Sequence, residues 1–407
     1  MSIQLKEKVH YKSYITITIA LALAGLSELA SLFFIQPLLP ALAKQYHVPI
    51  DNVSIILSVE TAMLAIGLLF TGSLSDRFGR KKLIVTALFS GAVITCLCST
   101  ANSWEMLVAM MGLLGLTLSG IASAATAYIS EEVAPAVASI VTGYFVFGNS
   151  MGGMFGRVFA SQMIAYTKLT NIFYGFSALL LFISVLVLVI LPESKNFKPT
   201  ARLKLTTMIH GIGGHFKNKM IVPVYLIGFI IFGSFTSLYN YLTFYVSHDP
   251  YNLSHAHAGL ISICFALSVI TAPQSGRLAN KFGGTKVLTG LFLIMALGMT
   301  LSLTHFLPMV LVGVVIFTGC FFGCYSISLR WVNKYALNNR GQATSLYLFF
   351  YYLGGSIIGY CNGYVYTHLG WQGLVALVVS LLCIAIAIAT YLRSQIARVP
   401  VPDATAA

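Results

Sequence analysis

The chain has 407 residues, of which 57% are hydrophobic and 9% charged, with a mean hydropathy of +0.85 and a formal net charge of +13. So few charges cannot cover a water-soluble protein of this length, which excludes a soluble enzyme or binding domain. The basic residues are spread over separate loops, so their excess points to membrane orientation and anionic lipid headgroups, and no nucleic-acid partner is expected.

A spanning helix needs about 20 apolar residues, and the chain supplies such runs at 14–41, 53–74, 82–101, 104–128, 137–165, 171–191, 221–246, 256–275, 286–304, 308–330, 342–365 and 371–392. This predicts an all-α integral membrane protein with twelve transmembrane helices. The start, Met1 to Ser13, is basic but runs into the first span without a small-residue cleavage site, and so reads as a retained span. Connections are short except at 192–220, which carries Lys195, Lys198, Arg202, Lys204, Lys217 and Lys219. That loop divides the chain into an amino-terminal six-helix bundle (1–191), a cytoplasmic linker (192–220) and a carboxyl-terminal six-helix bundle (221–407). With both termini inside, the cytoplasmic side collects Lys6, Lys8, Lys12, Arg330, Lys334, Arg340, Arg393, Arg398 and the basic loops, while the outer side receives only Lys44 and Lys168. The positive-inside rule selects this orientation.

One charged turn occurs twice. Gly72-Ser73-Leu74-Ser75-Asp76-Arg77-Phe78-Gly79-Arg80-Lys81-Lys82 returns, more faintly, as Gly276-Arg277-Leu278-Ala279-Asn280-Lys281-Phe282-Gly283-Gly284-Thr285-Lys286. Gly72 and Gly79 permit a tight reversal, Arg77 and Arg80 stay in cytoplasmic water, and Asp76 can pair with one of them or sit at a helix end. A glycine run is doubled too: Gly148, Gly152, Gly153 and Gly156 on the fifth span, and Gly354, Gly355 and Gly359 on the eleventh. Small residues at this spacing let helix backbones approach closely in lipid.

The repeated turn resembles the loop between the second and third helices of each half in the major facilitator superfamily of transporters, along nearly the whole chain. That resemblance implies two six-helix bundles with a substrate path between them. It also places the fifth and eleventh helices where the halves meet, so that Gly148, Gly152 and Gly156 would form a surface for rocking one bundle against the other; static packing is the alternative. The fifth-helix run is similar to the glycine motif of antiporter branches, with Gly153 in place of the usual proline and Arg157 in place of a later glycine. The stretches 62–72, 148–157 and 345–349 resemble the YnfM-like branch, described as sugar-efflux or drug-efflux transporters.

Ionisable side chains inside the hydrocarbon region are functional-site candidates by default. Glu28 falls near the middle of the first span, Glu60 about 10 Å below the outer surface at 1.5 Å of rise per residue, and Arg157 at a similar depth on the fifth. Arginine stays ionised, so it can hold one carboxylate charged while the other faces burial alone. Depth pairs Arg157 with Glu60 and leaves Glu28 as the proton carrier. A structural Glu–Arg pair with one permanently protonated acid is the alternative. Many proton-driven members of the superfamily carry an arginine on the fourth helix four residues before a glycine; here Met111 precedes Gly115. Glu131 and Glu132 are expected to pair with basic loops.

Aromatic residues on the seventh, tenth and eleventh spans suggest a cavity wall suited to an amphipathic organic molecule, with Tyr239, Asn240, Phe321 and Tyr325 as its candidate substrate contacts. The seven cysteines fall within spans and none has a histidine at ligand spacing, so no metal site and no cofactor are expected. His248, Asp249, His255 and His257 cluster on the outer side and read as a solvated loop, with a metal-binding or pH-sensing role as the alternative. No P-loop, metal-ligand spacing or nucleophile elbow points to an enzyme.

The expected function is therefore secondary active export of a small organic compound across the bacterial inner membrane, by proton antiport and alternating access. A monomer is expected, with protons, membrane lipids and a small-molecule substrate as its partners. Uptake or uncoupled diffusion of an organic anion, and a non-transporting membrane sensor, are the alternatives.

Overall fold

The computed structural model describes residues 2–194, 213–336 and 340–398. Linker residues Lys195, Lys198, Arg202 and Lys204 lie outside the described residues, as do the side chains of Lys6, Lys8, Lys12, Arg340 and Arg398.

Twelve crossings follow in chain order. In the first half they are α1 (Ser2–Phe33), α2 (Ile55–Phe78), α3 (Arg80–Cys98), α4 (Trp104–Glu132), α5 (Pro135–Ile164) and α6 (Leu169–Ile190). The second half has α7 (Ile221–Val246), α8 (Ser268–Phe282), α9 (Gly284–Leu301), α10 (Leu307–Tyr335) and a 59-residue helical stretch, Arg340–Arg398. Gly370, at φ 62° and ψ −161°, breaks that last stretch into α11 (340–369) and α12 (371–398). The expected loop between the last two spans thus contracts to one glycine in the left-handed region, which an L side chain would strain.

Two other spans depart from the sequence expectation. The first breaks after Phe33 into a 3₁₀ turn, Gln36–Leu38, and a short helix, Leu39–Tyr46. Pro37 and Pro40 explain the break, since neither can donate a backbone hydrogen bond to a preceding turn. The eighth begins as His255–Leu260, tightens into a 3₁₀ segment, Ile261–Leu267, and only then becomes α8, with Pro273 inside it. Mid-span 3₁₀ segments often mark functional positions, and these two face each other across the halves, as shown below.

The doubled turn has one backbone geometry. Gly79 has φ 98° and ψ 149°, and Gly283 has φ 90° and ψ 132°; each joins two helices at a position where any other residue would be strained. Around the first copy, Arg80 reaches Asp76 at 2.6 Å and grips Glu131 with bonds of 2.6 and 3.0 Å, while Lys81 meets Glu193 at 3.0 Å. The turn is thereby tied to the end of α4. At the second copy Gly276 lies against the Arg330 guanidinium and Gly284 against the Trp331 ring, so Arg330 packs on the turn as well as standing at a helix end.

The closest approaches of the glycine runs are within their own halves. A Cβ on Gly148, Gly152 or Gly156 would overlap the backbone carbonyl oxygens of Ala22, Leu26 and Ala30 on α1. On α11, a Cβ at Gly354 would overlap the carbonyl of Phe229 on α7, and one at Gly355 the ring of Phe232. Both runs let two helices of the same half touch backbone to backbone. The expectation of a rocking surface is corrected accordingly: these glycines fix α5 on α1 and α11 on α7, because only glycine admits the carbonyl of a neighbouring helix at that distance.

Candidate functional site

The halves meet most closely on the face opposite the repeated turns. Four hydrogen bonds between described residues cross from one half to the other: Gln36 to Asn240 (2.7 Å), Gln162 to the carbonyl of Ala256 (2.9 Å), Tyr241 to Ser54 (2.8 Å) and Tyr360 to Asn52 (3.2 Å). Each lies at the end of its helices remote from Gly79 and Gly283. Gly363 of α11 sits against the carbonyl of Asp51, and Gly259 against Ser161 of α5, in the same layer. This far side of the interface is closed.

Just inside that closure lies Arg157, only 2% exposed. Its Nη1 donates to the carbonyl of Gly153 one turn back (2.7 Å), and its Nε to Oε1 of Gln36 (2.7 Å). Gln36 is held on the 3₁₀ turn that follows α1, and its Nε2 simultaneously donates to Asn240 of α7. Four rings surround the guanidinium: Phe33 at 4.0 Å, Phe265 at 4.4 Å, Tyr239 at 5.1 Å and Phe235 at 5.6 Å. Phe33 comes from the first half and the others from the second, with Phe265 carried by the 3₁₀ segment of the eighth span. Desolvated cation–ring contacts contribute up to about 2 kcal/mol each. Arg157 is thus a cation shared by both halves.

The expected pairing of Arg157 with Glu60 is not formed. Glu60 is fully buried, and neither of its carboxylate oxygens has a hydrogen-bond partner among the described residues. Its backbone carbonyl is pressed against Gly115 of α4, and its carboxyl is within electrostatic reach of Cys98 on α3. Glu60 therefore belongs to the interior of the first half, among α2, α3 and α4. Depth gave its height correctly but said nothing of the direction in which α2 turns it.

Glu28 lies on α1, 1% exposed, with Oε2 lacking a partner among the described residues. Tyr325 of α10 and Tyr352 of α11, both from the second half, are within its electrostatic reach. It is a carboxyl on α1 that comes close to the second half's tyrosines. From it a chain of ring contacts leads to Arg157: Tyr325 to Tyr351 (5.2 Å), Tyr351 to Phe232 (4.2 Å), Phe232 to Phe33 (6.2 Å) and Phe33 to the guanidinium. Phe321 stacks on Phe235 at 4.1 Å, and Tyr239 donates to or accepts from Thr318 at 2.6 Å.

Of the expected wall residues, Tyr239, Asn240, Phe321 and Tyr325 all join this layer. Phe350 stacks instead on Tyr225 (5.5 Å), and Tyr245 on Trp371 (4.1 Å), within the second half. Gln36 was missed by the sequence reading. A neutral side chain beside Pro37 carried no signal of this role in the sequence. His248, Asp249 and His257 hydrogen-bond locally, to Phe244, Asn252 and Ser254.

The family model of the Major Facilitator Superfamily matches residues 21–359 and 249–406. The chain belongs to this superfamily. An uncharacterized transporter of Buchnera aphidicola subsp. Schizaphis graminum is 35% identical to it, covering 95% of this chain and 94% of that protein. The inner membrane transport protein YnfM of Escherichia coli is 34% identical, covering 94% and 92%. Among solved structures, a bacterial homologue of the human lysosomal transporter Spinster, in an inward-facing and occupied conformation, has a TM-score of 0.77 at 13% identity, covering 97% of this chain and 99% of that one. As a major facilitator transporter the chain handles a small-molecule substrate, with two six-helix halves. Arg157 and Glu28 stand at different heights in the interface between them.

Proposed function

We propose that this transporter exports a small organic compound by proton antiport and alternating access. The observation that carries the reading is Glu28: a buried carboxyl on α1, with one oxygen unpartnered among the described residues, opposite Tyr325 and Tyr352 of the other half. A carboxyl between two rigid halves changes its surroundings each time they rock, so it can take a proton from one side and release it to the other. Glu60, enclosed within one half, experiences no such change.

The basic loops orient the molecule. Arg77, Lys81, Lys82, Lys217, Lys219, Arg277, Lys281, Lys334 and Arg393 belong to the face of the repeated turns, against Lys44 and Lys168 on the other, so the turns and both termini are cytoplasmic in a bacterial inner membrane. The closed far side is then external. The name of the YnfM relative supports the inner membrane as the location. The chain works as a monomer embedded in lipid, with residues 192–220 as the linker between halves.

Everted vesicles with an acid interior and a pH-sensitive dye test the proposal. Addition of a substrate should release protons from wild-type vesicles but not from those carrying Glu28→Gln, while Glu60→Gln retains the response. Full proton release in the Glu28→Gln vesicles would overturn it.

A further inference from the structure

We infer that Arg157 receives the anionic group of the transported compound, an organic acid whose apolar or aromatic body lies along the rings between Arg157 and Glu28. An arginine in this setting stays ionised, and a buried charge is costly without a counter-charge. Among the described residues no carboxylate pairs with it: the three ion pairs present all lie around the first repeated turn. Its protein partners are neutral, Gln36 and the carbonyl of Gly153, and Nη2 has no partner among the described residues. The enclosure is apolar, from Phe33, Phe235 and Phe265, with Tyr239 adding one hydroxyl at its edge.

The geometry also says what binding does. A carboxylate grips a guanidinium best along one edge, with two parallel hydrogen bonds. The edge formed by Nε and Nη2 holds one occupied donor, Nε to Gln36, and one open donor, Nη2. A carboxylate seated there displaces Oε1 of Gln36, and Gln36 is the residue that holds Asn240 of the other half. Filling the site and keeping the far face closed therefore compete for one side chain. This goes beyond the antiport reading and rests only on the path between halves. An anion leaving while a proton enters moves charge in one sense, so both the pH difference and the membrane potential would drive export.

The test uses the full chain in detergent at fixed pH and ionic strength, with benzoate, 1-naphthoate and 4-phenylbenzoate as probes and benzamide and benzylammonium as controls. Affinity is measured by calorimetry and by the shift of the thermal unfolding midpoint. At least one acid should bind saturably where benzamide and benzylammonium do not. Arg157→Gln should weaken that acid by about 10-fold or more, and Arg157→Lys by less, because lysine keeps the charge but loses the fork. Gln36→Leu should bind the acid about 3- to 10-fold more tightly, since the competing hydrogen bond is gone; a gain of affinity cannot come from misfolding. Acids that bind no better than benzamide, or an acid whose affinity survives Arg157→Gln unchanged, would overturn the inference. Acid binding through Arg157 without proton movement in vesicles would leave the anion site standing and remove antiport. Proton movement driven only by neutral or cationic compounds, with no acid binding, would do the reverse.

Discussion

Gln36, on the 3₁₀ turn that follows α1, donates its Nε2 hydrogen to Oδ1 of Asn240 on α7 at 2.7 Å, across the two halves of the molecule. The bond stands at the closed end of the interface, with the other three that cross between described residues of the two halves. The glycine runs align at an offset of 202, which sets Arg157 of α5 against Gly359 of α11. Arg157 bonds to Gln36, whereas Gly359 lies beside Asn240 and Thr236.

Breaking this latch should shift the conformational balance without disturbing either half. A net hydrogen bond contributes about 0.5–1.5 kcal/mol, so Asn240→Ala should favour the state open at the far face by roughly 2- to 10-fold. Ser54 is buried in the same contact layer. A Ser54→Cys reporter in a background lacking the native cysteines should therefore react faster with a water-soluble maleimide when Asn240→Ala is added. An unchanged rate would show that the remaining contacts between the halves hold the far face closed without it.

The glycine runs give a paired prediction. Gly152→Leu and Gly354→Leu each force a side chain into the backbone of a neighbouring helix of the same half. Overpacking costs about 1–3 kcal/mol or more, so both variants should lower the unfolding midpoint and the yield of monodisperse protein. Gly143→Ala, where an added Cβ meets nothing within 4 Å, should leave both unchanged. If the runs were rocking surfaces, the leucine variants would fold normally and lose only transport.

At the first repeated turn, Arg80 is the hub. Its side chain is 7% exposed and grips Glu131 with two bonds while also meeting Asp76. Hydrogen bonds to charged groups contribute about 1.5–3 kcal/mol. Arg80→Ala should destabilise the protein by an amount in that range, and a double-mutant cycle with Glu131→Ala should show a coupling of about 1 kcal/mol. Additive losses would mean that the contact does not act as a unit.

The two buried glutamates should separate functionally. Glu28→Gln should abolish substrate-driven proton release, and Glu60→Gln should keep it while changing stability, because its uncharged amide occupies a site inside one half. Vesicle proton release and the unfolding midpoint, measured on the same preparations, check both halves of this statement. Loss of proton release in Glu60→Gln at normal stability would transfer the carrier role.

The sequence alone determined the membrane class, the twelve crossings, the doubling and the superfamily, because each follows from properties that accumulate along a chain: hydropathy over some twenty residues, charge by loop, and a motif repeated at a constant offset. It also named Glu28, Arg157 and four residues of the aromatic layer, since a charge in an apolar run is conspicuous wherever it points. Tertiary structure decided what these residues face. The pairing of Arg157 with Glu60 was argued from depth, and depth is blind to rotation about a helix axis; α2 turns Glu60 towards α3 and α4, and α5 turns Arg157 towards Gln36 and the opposite half. The glycine runs were legible as close-packing surfaces, but which helix they receive depends on how six helices assemble, and that placed α1 and α7 against them. Gln36 escaped notice because a neutral side chain beside a proline gives no signal until folding sets it between a buried cation and Asn240 of the other half.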